Sequence, residues 1–195
     1  GDWSSDVCSS DLSAGIALGT ANQLFVAKKA GKLANLESEL NSVPEVHSGI
    51  GHTRWATHGG PTDRNAHPHV DNEGKLAVIH NGIIENYSEL KAELQSKGHE
   101  FHSDTDTESV AHLLSDLRKE HGGDLTAAMR EAVKRLRGSF TLLAVHADKP
   151  ELIVGLVRGG AIPATYLSHF LNVPCYLINK DDTFELPTNK RVLVI

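Results

Sequence analysis

At 195 residues with 39% apolar content, the chain is long enough for one ordinary domain or one and a half. A net charge of −6 argues against nucleic acid as a main partner, because phosphate recognition needs a basic face. No apolar run approaches the roughly 20 residues that cross a bilayer, and the polar, acidic first twelve residues reverse the order of a signal peptide, so a cytoplasmic protein without a membrane partner is expected.

Residues 1–12, Gly-Asp-Trp-Ser-Ser-Asp-Val-Cys-Ser-Ser-Asp-Leu, carry no helical or strand periodicity. They match the translation of a common short-read sequencing adapter from Asp2 to Asp11, and are expected to be foreign to the fold. Residues 15–18 and 24–28 read as two short strands joined through Gly19-Thr-Ala-Asn22. Residues 32–40 place Leu33, Leu36 and Leu40 on one helical face. Residues 50–55 form a strand that enters a polar loop, and 75–80 form an apolar strand ending at Asn81-Gly82. Residues 87–96 form a helix, with Asn86 as N-cap, Glu89 three residues on and Gly98 past the end. Residues 107–119 and 125–136 repeat apolar residues at helical spacing, and 139–146 form a strand. Strand neighbours linked without crossover helices favour an α+β layered domain over a doubly wound one. Beyond residue 150, strands at 152–157, 175–179 and 192–195 with a helix between the first two give a βαβ pattern with a parallel look.

Several polar residues stand where a core would place aliphatics. Asn81-Gly82 reads as a hairpin turn, or as an amide and a backbone N–H converging on one oxygen, an oxyanion hole. Arg54 reads as a surface side chain over the Trp55 ring, or as a planar fork for a carboxylate. Asp106 reads as a helix cap, or as the partner of an α-amino group. One Arg fork with one acid suits a free amino acid. His58, His67, His69 and His80 match no short metal-ligand spacing, and no cysteine supports them, so hydrogen-bonded polar-site histidines are expected rather than a metal. Arg158-Gly159-Gly160 reads as an ordinary βα turn, or as a backbone cradle for pyrophosphate.

As an ordered set, Thr53-Arg-Trp-Ala-Thr-His-Gly59, Asn65-Ala-His-Pro-His69, His80-Asn-Gly-Ile-Ile-Glu-Asn86 and Thr105-Asp-Thr-Glu108 resemble the glutaminase (type 2 glutamine amidotransferase) domain of the isomerizing glutamine–fructose-6-phosphate aminotransferases. Ser13-Ala-Gly15 fits a motif tail of the same family, and the likeness covers residues 13–150. It implies an N-terminal-nucleophile hydrolase fold, a four-layer αββα sandwich, here incomplete. It implies glutamine hydrolysis through a thioester on an N-terminal cysteine, with ammonia passed to a sugar-phosphate isomerase domain that this chain lacks, and no cofactor. Carried over, Arg54 holds the glutamine carboxylate and Asp106 its α-amino group. Thr57 and His67 line that pocket, Trp55 sits near its mouth, and Asn81 and Gly82 form the oxyanion hole. Residues 151–195, with Val-Gly-Leu-Val-Arg-Gly-Gly, Ile-Pro-Ala and a final Val-Leu-Val-Ile, resemble a purine-type phosphoribosyltransferase fragment.

The chain departs from the family at its head. Adapter-like residues stand where the family places its Cys-Gly-Ile strand. Cys8 is internal, so its amine is tied in a peptide bond, and the nearby Asp6 and Asp11 raise a thiol pKa rather than lower it. The expectation is a chimeric chain without glutaminase activity, divided at 1–12, 13–150 and 151–195. Phosphoribosyl transfer and a non-catalytic amino-acid-binding module are the competing readings.

Overall fold

The computed structural model describes residues 12–20, 22–40, 42–46, 48–56, 59–150, 152–158, 175–176 and 193–194. The adapter-like residues 1–11, Thr57, His58, Gly159, Gly160 and the expected helix after residue 160 lie outside these.

Two sheets form the centre. Strands β1 (Leu12–Thr20) and β2 (Gln23–Ala30) make an antiparallel hairpin, with Thr20 opposite Gln23. Asn22 holds a φ of +66°, in the left-handed region that Asn enters more readily than most residues. Strand β3 (Gly49–Trp55) adds antiparallel to the other edge of β1, giving the order β2-β1-β3. The second sheet contains β4 (His69–Val70), β5 (Leu76–Gly82), β6 (Phe140–His146), β7 (Ile153–Arg158), β8 (Cys175–Tyr176) and β9 (Leu193–Val194) in the order β4-β5-β6-β7-β9-β8. Its ladders are antiparallel from β4 to β7, and parallel between β7 and β9 and between β9 and β8.

Side-chain parity turns these strands into layers. Along β5, Leu76 and Val78 enter one apolar cluster and Ala77 and Ile79 another. The first cluster joins the second sheet to α2 (Tyr87–Ser96), α3 (Thr107–Glu120) and α4 (Leu125–Arg135), through Leu94, Val110, Leu114, Met129 and Leu142 among others. The second joins the two sheets through Ala17, Ile50, Ala77, Ile79 and Val145. A strand buried on both faces needs an unbroken apolar run, which is why 76–79 does not alternate. Helix α1 (Leu33–Glu39) packs on β1 and β2. The described residues thus build an α+β sandwich of helix, sheet, sheet and helices.

Two expectations need correction. The apolar stripe of α1 is not a buried face: Leu36 is buried, but Leu33 is 54% exposed, because a two-turn helix meets the sheet at one point. Asn86 stands at the N-cap position of α2 without capping it. Its amide donates to Arg135 O and its carbonyl accepts from Arg137 N, tying α2 to the end of α4. Among the described residues, the side chain that does cap an α-helix is Asp124, which accepts from Thr126 N and Ala127 N at the start of α4.

Candidate active site

Strand β3 delivers the first site residues. Ile50 faces the other sheet, so His52 and Arg54, two and four residues on, point the same way. Arg54 is 5% exposed, while Trp55, on the opposite face, is 55% exposed. The reading of a surface Arg stacked over its Trp neighbour is therefore wrong. Arg54 Nη2 donates to Gly59 O at 3.1 Å. Burial lowers the guanidinium pKa, and the negative charge of Asp106 opposes that shift, so the two groups are in electrostatic contact.

Strand β5 delivers the next pair. Asn81 and Gly82 are not a hairpin turn. They are still laddered to Thr141 and Phe140 of β6, and both are exposed at the strand's end. Gly82 has a φ of +122°, and a Cβ there would collide with Ser139 O. Only glycine suits a chain leaving the strand in this way. The next residue, Ile83, donates its N–H to Ser139 O.

Asp106 connects these parts. It precedes α3 but makes no capping bond. Instead its Oδ2 accepts from Ile84 N at 2.9 Å, two residues past Gly82. Its Oδ1 lies 3.4 Å from the Thr107 hydroxyl and 3.7 Å from His80 Nδ1. Asp106 is 4% exposed. It thus fixes the backbone just after Asn81-Gly82 to the start of α3.

Four histidines form one cluster, held by hydrogen bonds and by the edge contact of the His67 and His69 rings. His67 Nδ1 meets His52 Nδ1 at 3.0 Å, and His67 Nε2 meets Thr107 Oγ1 at 3.0 Å. His80 Nδ1 meets the same hydroxyl at 2.9 Å, and His69 Nε2 meets Thr105 Oγ1 at 2.9 Å. Burial is the main cause that lowers the pKa of His52, His67 and His69, and the charge of neighbouring rings, Arg54 or Lys28 adds to it. For His52 the value is pushed down to about 4. These rings are neutral near pH 7. Both ring nitrogens of His67 are engaged inside the protein, which fixes the orientation of the ring at the site. Among the described residues, no three His, Cys, Asp or Glu side chains are grouped to hold a metal.

A layer beneath supports the cluster. Glu108 accepts from His102 N and Ser103 N at 2.7 Å each and from Ser103 Oγ at 2.6 Å. Burial raises its pKa, but the His112 ring 3.8 Å away and hydrogen bonds from Ser103 and the backbone outweigh that and hold it at about 2. Asn65 ties the 59–66 loop to the 103–106 turn by donating to Gly60 O and accepting from Asp104 N. A separate cleft of about 580 Å3, lined by Lys28, His69, Asp71, Glu100, Ser103 and Glu108 among others, shares this layer but touches none of Arg54, Asn81 or Asp106. The chemistry-bearing groups, not that volume, define the site. Arg158, the start of the candidate pyrophosphate loop, pairs with Phe140, which pairs with Gly82. The two candidate loops therefore leave the same end of one sheet, two strands or roughly 10 Å apart.

A model of the glutamine amidotransferase domain matches residues 52–171. The chain belongs to this family of glutamine amidotransferase domains. It is 56% identical over 152 residues to the isomerizing glutamine–fructose-6-phosphate aminotransferase of Streptomyces coelicolor, covering 77% of the chain and 25% of that enzyme. The enzyme of the same name from Thermus thermophilus is 51% identical over 142 residues, 72% of the chain and 23% of the enzyme. The chain spans about a quarter of the length of these curated relatives. Among solved structures, it resembles the glutamine phosphoribosylpyrophosphate amidotransferase of B. subtilis, with TM-score 0.54 and 28% identity over 69% of the chain and 29% of that enzyme. The allosteric regulatory enzyme of purine biosynthesis gives TM-score 0.57 and 30% identity over 70% of the chain and 30% of its own. The fold is accordingly that of the N-terminal-nucleophile amidotransferases. Neither Thr107 nor His52 had been singled out from sequence. His52 was findable, since it shares the inward face of β3 with Arg54. Thr107 carried no signal apart from its neighbour Asp106.

Proposed function

We propose that residues 13–150 are the glutamine-binding domain of an isomerizing glutamine–fructose-6-phosphate aminotransferase, whose parent activity passes amide nitrogen to fructose 6-phosphate. The observation that carries this reading is the pairing of a buried guanidinium, Arg54, with a buried carboxylate, Asp106, beside the exposed strand end Asn81-Gly82. An α-amino acid has one group for each. The fork of Arg54 takes the carboxylate, Asp106 the ammonium, and Asn81 and Gly82 the side-chain amide oxygen. The resemblance assigns Thr57 and His67 to the wall of the pocket and Trp55 to its mouth.

The 195-residue polypeptide binds glutamine without hydrolysing it. The thioester route needs a thiol whose own free α-amino group is the base. The amine of Cys8 is in a peptide bond, and Cys175 lies on β8, four strands from β5 or roughly 19 Å away. Residues 151–195 are a phosphoribosyltransferase-type fragment, a reading favoured by the parallel β7-β9-β8 ladder joined to an otherwise antiparallel sheet. The test is calorimetric titration with glutamine, alongside an assay of glutamate release. Binding without release, lost in Arg54→Ala and Asp106→Asn, is the expected result. Protein-dependent glutamate release would refute the non-hydrolytic reading, and binding untouched by both substitutions would refute the site.

A further inference from the structure

Thr107 is fully buried and its hydroxyl has three polar neighbours: His67 Nε2 at 3.0 Å, His80 Nδ1 at 2.9 Å and Asp106 Oδ1 at 3.4 Å. A hydroxyl has one proton to give and two lone pairs to fill, and an ionised carboxylate only accepts. If the hydroxyl donates to Asp106, both imidazoles must present an N–H to it. That fixes the proton positions along the whole chain. His67 carries its proton on Nε2, so its Nδ1 accepts and His52 must donate from Nδ1 across their 3.0 Å contact. His80 carries its proton on Nδ1. Its buried Nε2, which has no hydrogen-bond partner among the described residues, is then a bare lone pair rather than an orphaned N–H.

We propose that Thr107, His67 and His80 are positioning residues that hold the Asp106 carboxylate aimed for an α-ammonium group, so that they set the preference of this site for an α-amino acid over the same molecule without its amine. This rests on the glutamine reading of the site. The chain runs from His52 through His67 and Thr107 to the carboxylate, and each donor points toward the negative end. Ile84 N holds the other oxygen. With both oxygens tethered, the carboxylate cannot rotate, and it meets the incoming ammonium in one orientation. A lone Asp106 would bind the same charge with less geometric selectivity.

The test compares glutamine with 4-carbamoylbutanoate, which is glutamine lacking the α-amino group, by calorimetric titration of the 195-residue chain. Thr107→Val keeps the shape and removes the hydroxyl. It is expected to weaken glutamine on the order of tenfold while leaving the deamino compound within about twofold, and Thr107→Ser is expected to restore the preference. Equal loss for both ligands, or an unchanged preference in Thr107→Val, overturns the proposal. If the unsubstituted chain binds neither ligand, the glutamine reading itself falls and the proposal falls with it. A second measurement needs no variant to fold: 15N spectra of labelled imidazoles in the unsubstituted chain. The proposal requires Nε2–H for His67 and Nδ1–H for His52 and His80. A His67 protonated on Nδ1 would take the Thr107 proton away from Asp106 and overturn it.

Discussion

Acid should unfold this domain through its histidines before its carboxylates are titrated. His52, His67 and His69 all have lowered pKa values, mainly because burial disfavours the charged ring. The unfolded chain protonates such rings near pH 6.5, whereas the folded chain keeps His52 neutral to about pH 4. The unfolded state therefore binds more protons between these values, and stability falls as pH drops. The His52 contribution is complete above about pH 6.5 and exhausted below about pH 4. At about 1.4 kcal/mol per unit, its shift is worth about 3 kcal/mol. Three such rings losing stability together approach a slope of about 4 kcal/mol per pH unit near pH 5. A domain of ordinary stability, about 5–15 kcal/mol, cannot absorb that for long. The lowered carboxylate of Glu108 acts in a lower window, from about pH 4.5 to about 2, so the two effects separate. Urea midpoints measured from pH 7 to pH 4.5 should fall continuously, and His52→Gln should remove about one proton from the slope. A midpoint that is flat or rising as pH falls from 6.5 to 4.5 would refute the buried, neutral cluster.

Leu142→Ala, at a fully buried position of β6 facing the helices, should cost about 2–5 kcal/mol in urea unfolding by transfer and cavity terms. Gly82→Ala meets both an unfavourable φ and Ser139 O, and should lower stability by about 1–3 kcal/mol while abolishing any glutamine-dependent rise in melting temperature. Glu108→Gln must turn its amide NH2 toward either His102 N, which donates to Oε1, or Ser103 N and Oγ, which donate to Oε2, and should cost about 1–3 kcal/mol at pH 7. That cost should shrink as pH falls from about 4.5 to about 2, where the unfolded carboxyl binds a proton that the folded one does not.

The long periodic segments were legible in the sequence, because each buries a whole face. Helix α3 begins at Thr107 as its apolar spacing requires, and β5 begins within one residue of the expected start. Short elements were not legible. Strand β4 has two residues and the 3-10 turn Asp63–Asn65 has three, too few for any period to register. Local rules failed where a side chain had a distant partner. Asn86 and Asp106 stand where caps stand, yet they bond to residues 49 and 22 positions away. An Asn-Gly pair that favours a hairpin ends a strand instead, because the ladder to Thr141 and Phe140 outweighs the local turn preference.

The failures at Asp106 and at Asn81-Gly82 share a location, and the reason is energetic. Leu76, Val78 and His80 project from one face of β5, and Ile50, His52 and Arg54 from one face of β3. In each strand, apolar residues give way to buried polar ones toward the same end. An aliphatic residue at His80 or Arg54 would bury apolar area without a desolvation cost. The chain instead encloses a guanidinium, a carboxylate and neutral imidazoles, and offsets that cost with the apolar run 76–79 and the helices packed on it. Polar groups buried at such cost in one place, each oriented by another, are what a site held ready for a charged ligand requires.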